Sequence, residues 1–375
     1  MRILSFGDIH LNCGYDEDLI GSFRQIINRV NLGDVNLVAI TGDIYDRSSD
    51  PSSRNIAADL IREMANLVPV IVIRGNHDAP GDLKILSRLS ARNPIIVDET
   101  PESHVFMDID YRVRLLSMPW LTKARWQSLH PEASKEDGDK NVSQMVVEYI
   151  RNEVSLHPEE KIVLIGHMTV AGAKAQNHQQ MGADGVTIGI YDFADSGVYA
   201  ALLGHIHLKQ ECGGSRFFYN GSIAALDYGE DPNKYFSVLD TELDTVEWIK
   251  LNTVHRQDVN AYWGPVGIVI ESEGIPDSLI TGARVRINLR VEGGDNVAQA
   301  KLQLETWLNS KNVLEYVIRP QVIPVGSVRS IEISKYVGMS EKLVEYWKGI
   351  GFQDDATQSE MLIKLEDLQD EVGSS

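Results

Sequence analysis

Residues 202–210, LLGHIHLKQ, carry two histidines two positions apart, directly after a run of apolar residues. The apolar run predicts a buried strand. Because alternate residues of an extended backbone face the same side, His205 and His207 are expected to point in one direction from the end of this strand. Two imidazoles on one side suit a shared ligand, and a metal ion is the first candidate.

Four earlier apolar runs also end in a polar cluster that contains glycine. The runs read RILSF, VNLVAIT, VPVIVIR and KIVLI, and their clusters begin at Gly7, Gly42, Gly75 and Gly166. Such short runs are typical of buried strands, and the segments 19–30 and 56–67 between them have helical spacing. The sequence therefore predicts an α/β fold with functional residues at the carboxyl ends of strands, where open sheets bind ligands.

The composition predicts a folded, cytoplasmic protein. The chain has 375 residues, of which 43% are hydrophobic and 24% charged, and it has only two cysteines. This is enough apolar material for a substantial core, and two cysteines offer no disulfide framework. No apolar run approaches the roughly 20 residues that span a bilayer, so no membrane partner is expected. The formal charge of −19 argues against tight, unaided binding to DNA.

The pattern changes after residue 231, and we predict three domains. An alternating stretch with a turn near Leu243 is interpreted as a β-hairpin that closes a first domain at residues 1–251. A strand, a helix and a second strand form a small α/β module at 252–325. The acidic remainder, 326–375, is predicted to be helical, with two apolar stripes. The stripes consist of Leu343, Val344 and Trp347, and of Met361, Leu362, Leu365 and Leu368.

The polar clusters together supply seven candidate metal ligands, all of them oxygen or imidazole donors. Such donors suit Mn²⁺, Fe²⁺ or Mg²⁺ better than a metal that prefers thiolates, although zinc also accepts them. Seven ligands exceed the needs of one ion and match a two-metal site bridged by one carboxylate, as used for displacement at phosphorus. The seven residues are Asp8, His10, Asp43, Asn76, His167, His205 and His207.

The ordered set D-x-H, GD-x-x-D, GNHD, GH and GHxH resembles the signature of the calcineurin-like metallophosphoesterases. The five motifs begin at Asp8, Gly42, Gly75, Gly166 and Gly204. The resemblance implies a four-layer α/β/β/α sandwich with two divalent metal ions. One ion would be held by Asp8, His10, Asp43 and His207. The other would be held by Asp43, Asn76, His167 and His205, so that Asp43 bridges the two.

The resemblance also implies roles for residues beside the ligands. His77 would face the scissile phosphate and protonate the leaving oxygen, with Asp46 orienting its ring. Arg47 is a candidate phosphate contact, and a surface salt bridge is an equally open interpretation. His178 is the histidine outside the motifs that we expect nearest the substrate, and Asp78 is expected to shape its loop through backbone hydrogen bonds.

Three further features are similar to the SbcD-type nucleases of DNA double-strand-break repair. They are the segment FYNGSIAALDYGED at 218–231, the loop GHMTVAGAKA and the small α/β module. This likeness implies a nuclease domain at 1–251, a DNA-capping domain at 252–325 and a partner-binding tail at 326–375. It further implies a Mn²⁺-dependent duplex exonuclease and single-strand endonuclease that serves DNA repair, recombination and replication. The implied assembly is a homodimer within a heterotetramer with a coiled-coil, SMC-like ATPase of the SbcC type.

Two alternatives remain open at this stage. The same metal chemistry could act on a small-molecule or protein phosphoester, which the acidic composition favours. The chain could also be a mainly architectural subunit of a repair complex, and its tail could pack on its own core. Five basic residues are candidate phosphate contacts, and each is also a candidate for an ordinary surface charge: Lys209, Arg216, Arg284, Arg286 and Arg290.

Overall fold

The computed structural model describes most of the chain in two compact units. The described residues are 1–11, 14, 16–46, 49–109, 111–129, 138–176, 179, 185–264, 267–271, 280–292, 296–323, 339–350, 354 and 357–365. One unit comprises 1–258, 276–285 and 313–315, and the other comprises 259–275, 286–312 and 316–375. All candidate ligands named above belong to the first unit.

The first unit contains a six-stranded sheet with helices after its first two strands. The bounds are β1 Arg2–Phe6, α1 Asp16–Val30, β2 Leu37–Ile40, α2 Pro51–Ala65, β3 Val70–Ile73, a 3₁₀ helix Leu83–Arg88, β4 Ile95–Asp98, β13 Lys234–Asp240 and β14 Thr245–Leu251. The strand order is β14-β13-β1-β2-β3-β4. Strands β1 to β4 run parallel, and β13 pairs antiparallel with β1 and with β14. Helices α1 and α2 make the crossovers that parallel strands require.

The first unit also contains a second six-stranded sheet. The bounds are β5 Glu102–Met107, β6 Arg112–Met118, α3 Lys123–Leu129, α4 Gly138–Leu156, β7 Lys161–His167, β8 Thr169–Val170, β9 Thr187–Ile188, α5 Ile190–Ala194, β10 Ala200–Gly204, β11 Gln210–Glu211 and β12 Phe217–Tyr219. The strand order is β11-β12-β10-β7-β6-β5, and β8 and β9 pair with each other in a separate two-stranded sheet. Its central strands β6, β7, β10 and β12 run parallel.

Three apolar clusters hold this unit together. One packs α1 and α2 on the first sheet, with Phe6 and Phe23 edge to face at 5.1 Å. Another packs α4 on the second sheet. The third draws residues from both sheets, among them Ile3, Ile71 and Leu202. Because successive side chains of a buried strand face opposite sides, continuous apolar runs can serve two clusters at once. The predicted mixed α/β class is confirmed, and the full four-layer arrangement remains a prediction.

The second unit is built on a four-stranded sheet and one helix. The bounds are β15 Arg256–Gly264, β16 Gly267–Glu271, β17 Arg284–Glu292, α6 Val297–Ser310 and β18 Glu315–Ile323. The strand order is β16-β15-β17-β18, and the first residues of β15, β17 and β18 belong to the first unit. Helix α6 buries Ala300, Leu304 and Leu308, and β17 buries Ile287 and Leu289, at the spacings expected of a helix and a strand that share a core. The predicted strand–helix–strand pattern corresponds to β17, α6 and β18.

The tail contains the helix α7, Met339–Ile350, and a helical stretch at 357–365. Trp347 of the first predicted stripe is buried, whereas Met361 of the second is exposed. Leu368 lies outside the described residues. Within the described part of the chain, no helix has both the length and the apolar character that crossing a membrane would require.

Candidate metal centre

The seven predicted ligands lie at the carboxyl ends of neighbouring parallel strands. Asp8 and His10 follow β1, Asp43 follows β2, and Asn76 follows β3 in the first sheet. In the second sheet His167 ends β7, and His205 and His207 follow β10. Strands that run in the same direction end at the same edge of a sheet, so both sheets deliver polar side chains to one place. Five of these ligands are buried, namely Asp8, His10, Asp43, His167 and His205.

The backbone at these strand ends adopts conformations that side chains rarely take. Asp8, His10 and Asp43 have φ of 50°, 57° and 50°, and His205 has φ of 102°. The loops are held by main-chain hydrogen bonds, including Asp8 N to Gly42 O at 3.0 Å and His10 N to Asp43 O at 3.0 Å. Non-glycine residues at positive φ persist only where the surroundings impose them, and they concentrate at functional sites.

Asp8 and Asp43 each use one carboxylate oxygen, Oδ1, to accept a hydrogen bond from a backbone amide. Asp8 Oδ1 accepts from the His205 amide at 2.8 Å, and Asp43 Oδ1 accepts from the His77 amide at 2.8 Å. Asp43 Oδ2 then lies 3.2 Å from His167 Nε2 and 3.7 Å from His10 Nε2. Asp43 therefore stands between the two sets of imidazoles, which is where a bridging carboxylate is needed.

One set of donor atoms consists of Asp8, His10 and His207, whose nearest ligand atoms all lie within 4.8 Å of one another. His10 Nδ1 donates to the Asp46 carboxylate at 3.1 Å. The other ring nitrogen, Nε2, therefore carries the lone pair that can bind a cation. His10 Nε2 and Asp8 Oδ2 are buried and have no hydrogen-bond partner among the described residues. Buried polar atoms without partners are costly, and a cation between them would remove that cost.

The other set consists of Asp43, Asn76, His167 and His205. His167 Nδ1 donates to the Thr41 carbonyl at 2.6 Å, so its Nε2 faces Asn76 Oδ1 at 2.9 Å. Asn76 Oδ1 also lies 2.9 Å from His205 Nδ1. Ligands at about 2.1 Å from one ion are separated by roughly 3 Å when they are at right angles. The observed spacings match that value, so these residues fit a divalent ion.

Burial and neighbouring charges shift the pKa values of several of these candidate ligands. Burial lowers the pKa of His167, but the charge and hydrogen bond of Asp43, the charge of Asp8 and the Thr41 carbonyl together outweigh burial and raise this pKa to about 9. Burial raises the pKa of Asp8 to about 6 and lowers that of His205 to about 3. A proton at His167 thus supplies positive charge that a divalent ion at the same place would provide.

The side chain of His77 contacts the main chain of Asp46. His77 Nδ1 donates to the backbone carbonyl of Asp46 at 2.7 Å, and the His77 side chain is exposed. The carboxylate of Asp46 accepts the hydrogen bond from His10 described above. Asp46 therefore sets the tautomer of two histidines, and the predicted orientation of His77 by Asp46 is made by a carbonyl oxygen.

Asp78 shapes its loop as predicted, because it accepts from the amides of Gly75 at 2.9 Å and Tyr45 at 3.1 Å. Arg47 and His178, the two predicted substrate contacts, lie outside the described residues. Their roles remain predictions.

Three residues that sequence reasoning missed also reach the ligands. Gln179 donates to the His205 carbonyl at 2.5 Å and accepts from the His207 amide at 3.2 Å. Glu230 has a carboxylate oxygen 3.9 Å from His207 Nδ1 and is paired with the buried Lys234 at 2.7 Å. Trp120 stacks beside the imidazoles of His167 and His205. Of these three residues, only Glu230 had a signal in the sequence, because it lies near the end of the segment 218–231 that resembles the SbcD-type nucleases.

Three of the basic residues considered as phosphate contacts pack against neighbours instead. The Lys209 ammonium lies 4.3 Å from the ring centres of both Tyr235 and Trp248. Arg216 lies over Tyr199 and 3.8 Å from Asp244. Arg284 pairs with Asp18 and Glu315. These side chains are engaged within the first unit, which limits the positive charge that they can offer to DNA.

Carboxylate, amide and imidazole donors gathered at the strand ends of two parallel-rich sheets define a metal-binding α/β protein. The calcineurin-like phosphoesterase family matches residues 1–209, and the chain belongs to this family. Its members use a dinuclear divalent metal site, with which the clusters described above agree.

Among curated proteins, the chain is similar to the SbcD component of the nuclease SbcCD from Staphylococcus epidermidis, with 27% identity over 217 residues. The match covers 55% of each chain, so this chain spans about half the length of that relative.

Two solved structures have lower similarity. TT1561 of Thermus thermophilus has a TM-score of 0.42 and 12% identity, over 66% of this chain and 98% of its own. The purple acid phosphatase PPD1 of yellow lupin has a TM-score of 0.37 and 14% identity, over 67% and 51%. Both scores are too low to bear on the activity of this chain.

Proposed function

We propose that this protein is a Mn²⁺-dependent DNA nuclease that hydrolyses phosphodiester bonds at duplex ends and in single strands. The observation that carries the proposal is the clustering of Asp8, His10, Asp43, His167 and His207 in a chain of this family. The contacts of Asn76 Oδ1 with His167 and His205 bring the two remaining proposed donors to the same place. The similarity to a component of a protein named nuclease SbcCD supports DNA as the substrate. Manganese is proposed because the donor set lacks thiolates and mixes carboxylate with imidazole.

In this proposal the donors divide between two ions that share Asp43. Asp8, His10, Asp43 and His207 hold one ion, and Asp43, Asn76, His167 and His205 hold the other. When bound, the two ions supply Lewis-acid activation of water and neutralise charge on the phosphate. The chain contributes the fixed orientation of each imidazole. His10 and His167 donate their Nδ1 hydrogens to Asp46 and Thr41, which directs their Nε2 atoms into the site.

His77 is proposed as the general acid. Its Nδ1–H bond to the Asp46 carbonyl fixes the ring and leaves Nε2 to carry a proton to the leaving oxygen. Its ring centre lies 4.7 Å from that of the ligand His10, so it stands beside the ion site. Arg47 and His178 are proposed as substrate contacts.

The net charge of −19 opposes DNA binding by this chain alone, so the proposal includes a partner. We propose a cytoplasmic homodimer within a heterotetramer, where an SMC-like coiled-coil ATPase of the SbcC type supplies basic surface for DNA. Residues 1–251 are the proposed nuclease domain, 252–325 the proposed DNA-capping domain and 326–375 the proposed docking tail. The exposed Met361 and Ile363 of the tail suit such a contact.

The test is cleavage of labelled duplex and single-stranded DNA in Mn²⁺ by the wild type and by His77→Asn. The amide of Asn can still donate to the Asp46 carbonyl but cannot transfer a proton. We expect cleavage to fall by about 10²–10⁴-fold while both ions remain bound. The matched control is His104→Asn, whose native ring hydrogen-bonds Asp98, and this control should cleave like the wild type.

The acidic composition also favours a second candidate, a phosphodiesterase for small or protein substrates. Rapid turnover of bis-p-nitrophenyl phosphate with intact DNA, both ions being bound and the ATPase partner present, would replace the nuclease proposal by this candidate. A metal-site variant that retained full repair function in cells would instead favour a mainly architectural subunit.

A further inference from the structure

The indole of Trp120 forms one wall of the site. Its ring centre lies 4.8 Å from that of His205, with the planes tilted by 39°. It lies 6.0 Å from the ring centre of His167, edge to face at 78°. Both separations fall in the range of about 4.5–7 Å in which aromatic rings attract one another. Trp120 therefore contacts two of the imidazoles that face Asn76.

Trp120 is itself held firmly. Its amide donates to the Arg74 carbonyl at 2.8 Å, and the guanidinium of Arg74 donates to the Trp120 carbonyl and to that of Gly75 at 3.1 Å. On the other side of the indole, a Cβ added to Gly185 would lie only 2.0 Å from Trp120 Cη2. The side chain is 6% exposed. The indole thus has close neighbours in Gly185 and in the two histidines.

The same contacts join loops from the two sheets. Arg74 follows β3 and directly precedes the loop that carries Asn76, whereas Trp120 follows β6. His167 borders a small space of about 10 Å³ that is otherwise lined by apolar residues such as Met118 and Leu121, and this lining offers a water molecule too few hydrogen-bond partners. The imidazole of His167 therefore packs on apolar residues, while its nitrogens bond Thr41 and Asn76.

We propose that Trp120 is a positioning residue for the ion site formed by Asp43, Asn76, His167 and His205. Its indole fixes the rotation of both imidazoles and excludes water from that side of the site. Through Arg74 it also fixes the loop that presents Asn76. The inference rests on the proposed two-ion site, but it does not depend on DNA as the substrate.

Removal of such outer contacts typically weakens metal binding by about 10–100-fold. The effect should be confined to one ion, because the contacts of Trp120 described above involve no residue of the set Asp8, His10 and His207. If Trp120 had only a structural role, its removal would instead lower the stability of the fold and weaken the binding of both ions together.

The experiment compares Trp120→Phe with Trp126→Phe in the full chain. Trp126 is a matched control, since it is a buried tryptophan that packs on Tyr149 with ring centres 6.0 Å apart. Mn²⁺ binding is followed by calorimetry and by quenching of tryptophan fluorescence. For Trp120→Phe we expect one of two Mn²⁺ sites to weaken at least about tenfold. Most of the quenching should vanish in this variant and persist in Trp126→Phe.

Equal weakening of both sites, or two unchanged sites, in a folded Trp120→Phe protein would overturn the inference. If Trp120→Phe does not fold, Gly185→Ala is measured instead, because its Cβ would displace the indole, and the same weakening of one site is expected. Unchanged binding of both ions in Gly185→Ala would overturn the inference. If the wild type binds two Mn²⁺ ions but leaves DNA intact, only the proposed substrate fails.

Discussion

Asp46 holds two histidines through two different groups, and we propose different roles for these histidines. Its carboxylate accepts from His10 Nδ1 at 3.1 Å, and its carbonyl accepts from His77 Nδ1 at 2.7 Å. A carboxylate behind a metal-binding imidazole raises the basicity of that ligand, whereas a carbonyl only fixes the ring. The two histidines thereby receive the same tautomer from two different acceptor groups of one residue.

We therefore predict that Asp46→Asn weakens the proposed ion site of His10 more than it affects the proposed acid, His77. The amide retains an acceptor for His10 but loses the charge, so the affinity for one Mn²⁺ should fall roughly tenfold. Titration calorimetry measures this change. Asp82→Asn is a control, since Asp82 bonds Ser49 at 2.6 Å. Unchanged binding of both ions in Asp46→Asn would contradict the role given to this carboxylate.

At the scale of elements, the turns after the parallel strands require glycine because the backbones approach closely. A Cβ on Gly75 would lie 2.1 Å from Asp43 Oδ1 and 2.3 Å from the Asp43 amide nitrogen. The amide nitrogen is backbone and cannot move away cheaply. The loop after β3 and the loop after β2 can meet only without that side chain.

Gly75→Ala should therefore displace Asp43. We expect Mn²⁺ binding to be lost and the free energy of unfolding to fall by on the order of 1–3 kcal/mol. Gly21→Ala is the matched control, because a Cβ at this position in α1 meets no atom within 4 Å. It should stabilise the protein by about 0.5–1 kcal/mol, as alanine favours helices. Normal Mn²⁺ binding by Gly75→Ala would show that the turn tolerates a side chain.

The edge strands β4 and β5 belong to different sheets and are joined by an ion pair. His104 Nε2 lies 2.8 Å from Asp98 Oδ2. This hydrogen bond raises the pKa of His104, together with the charge of Asp98 and against the effect of burial. Because the pKa is raised in the folded state, the pair stabilises the fold fully below the ordinary value of about 6.5. The contribution is lost as the pH rises through the folded pKa.

Asp98→Asn should accordingly lower the free energy of unfolding at pH 5 by up to about 1 kcal/mol, since His104 is partly exposed. At pH 9 the difference between variant and wild type should nearly vanish. Urea unfolding at the two pH values measures the effect, and NMR titration of His104 should show a lower pKa in the variant. The same loss at both pH values would rule out a charge-dependent contribution.

For the whole molecule, the metal centre concentrates buried charge between two sheets. Burial raises the pKa of Asp8 to about 6, which indicates that an ionised carboxylate is costly at this position. A divalent ion offsets that cost only in the folded state. Mn²⁺ at a hundred times its dissociation constant should stabilise the fold by about 2.7 kcal/mol.

Scanning calorimetry with and without Mn²⁺ tests this stabilisation. The wild type should unfold at a higher temperature with the ion. Asp43→Asn, which removes the shared charge, should show little or no shift. An equal shift in both proteins would mean that the stabilising ion binds elsewhere.

The sequence by itself determined the α/β class and the position of the seven predicted donors at strand ends. Each depends on local pattern, because short apolar runs form strands and the residues that follow a strand must lie at its end. The hairpin at 234–251 and the helix at 297–310 could also be predicted from local pattern. Asp78 could be assigned to its loop because its partners are near in the chain or in a neighbouring motif.

Only the tertiary structure decided which atoms meet across the two sheets. It placed Trp120 against His205, Glu230 beside His207 and the Asp46 carbonyl against His77. It also added β15 and β16 to the small sheet. These contacts join residues that are far apart in the chain, and their geometry depends on strand order and packing, which no local pattern records.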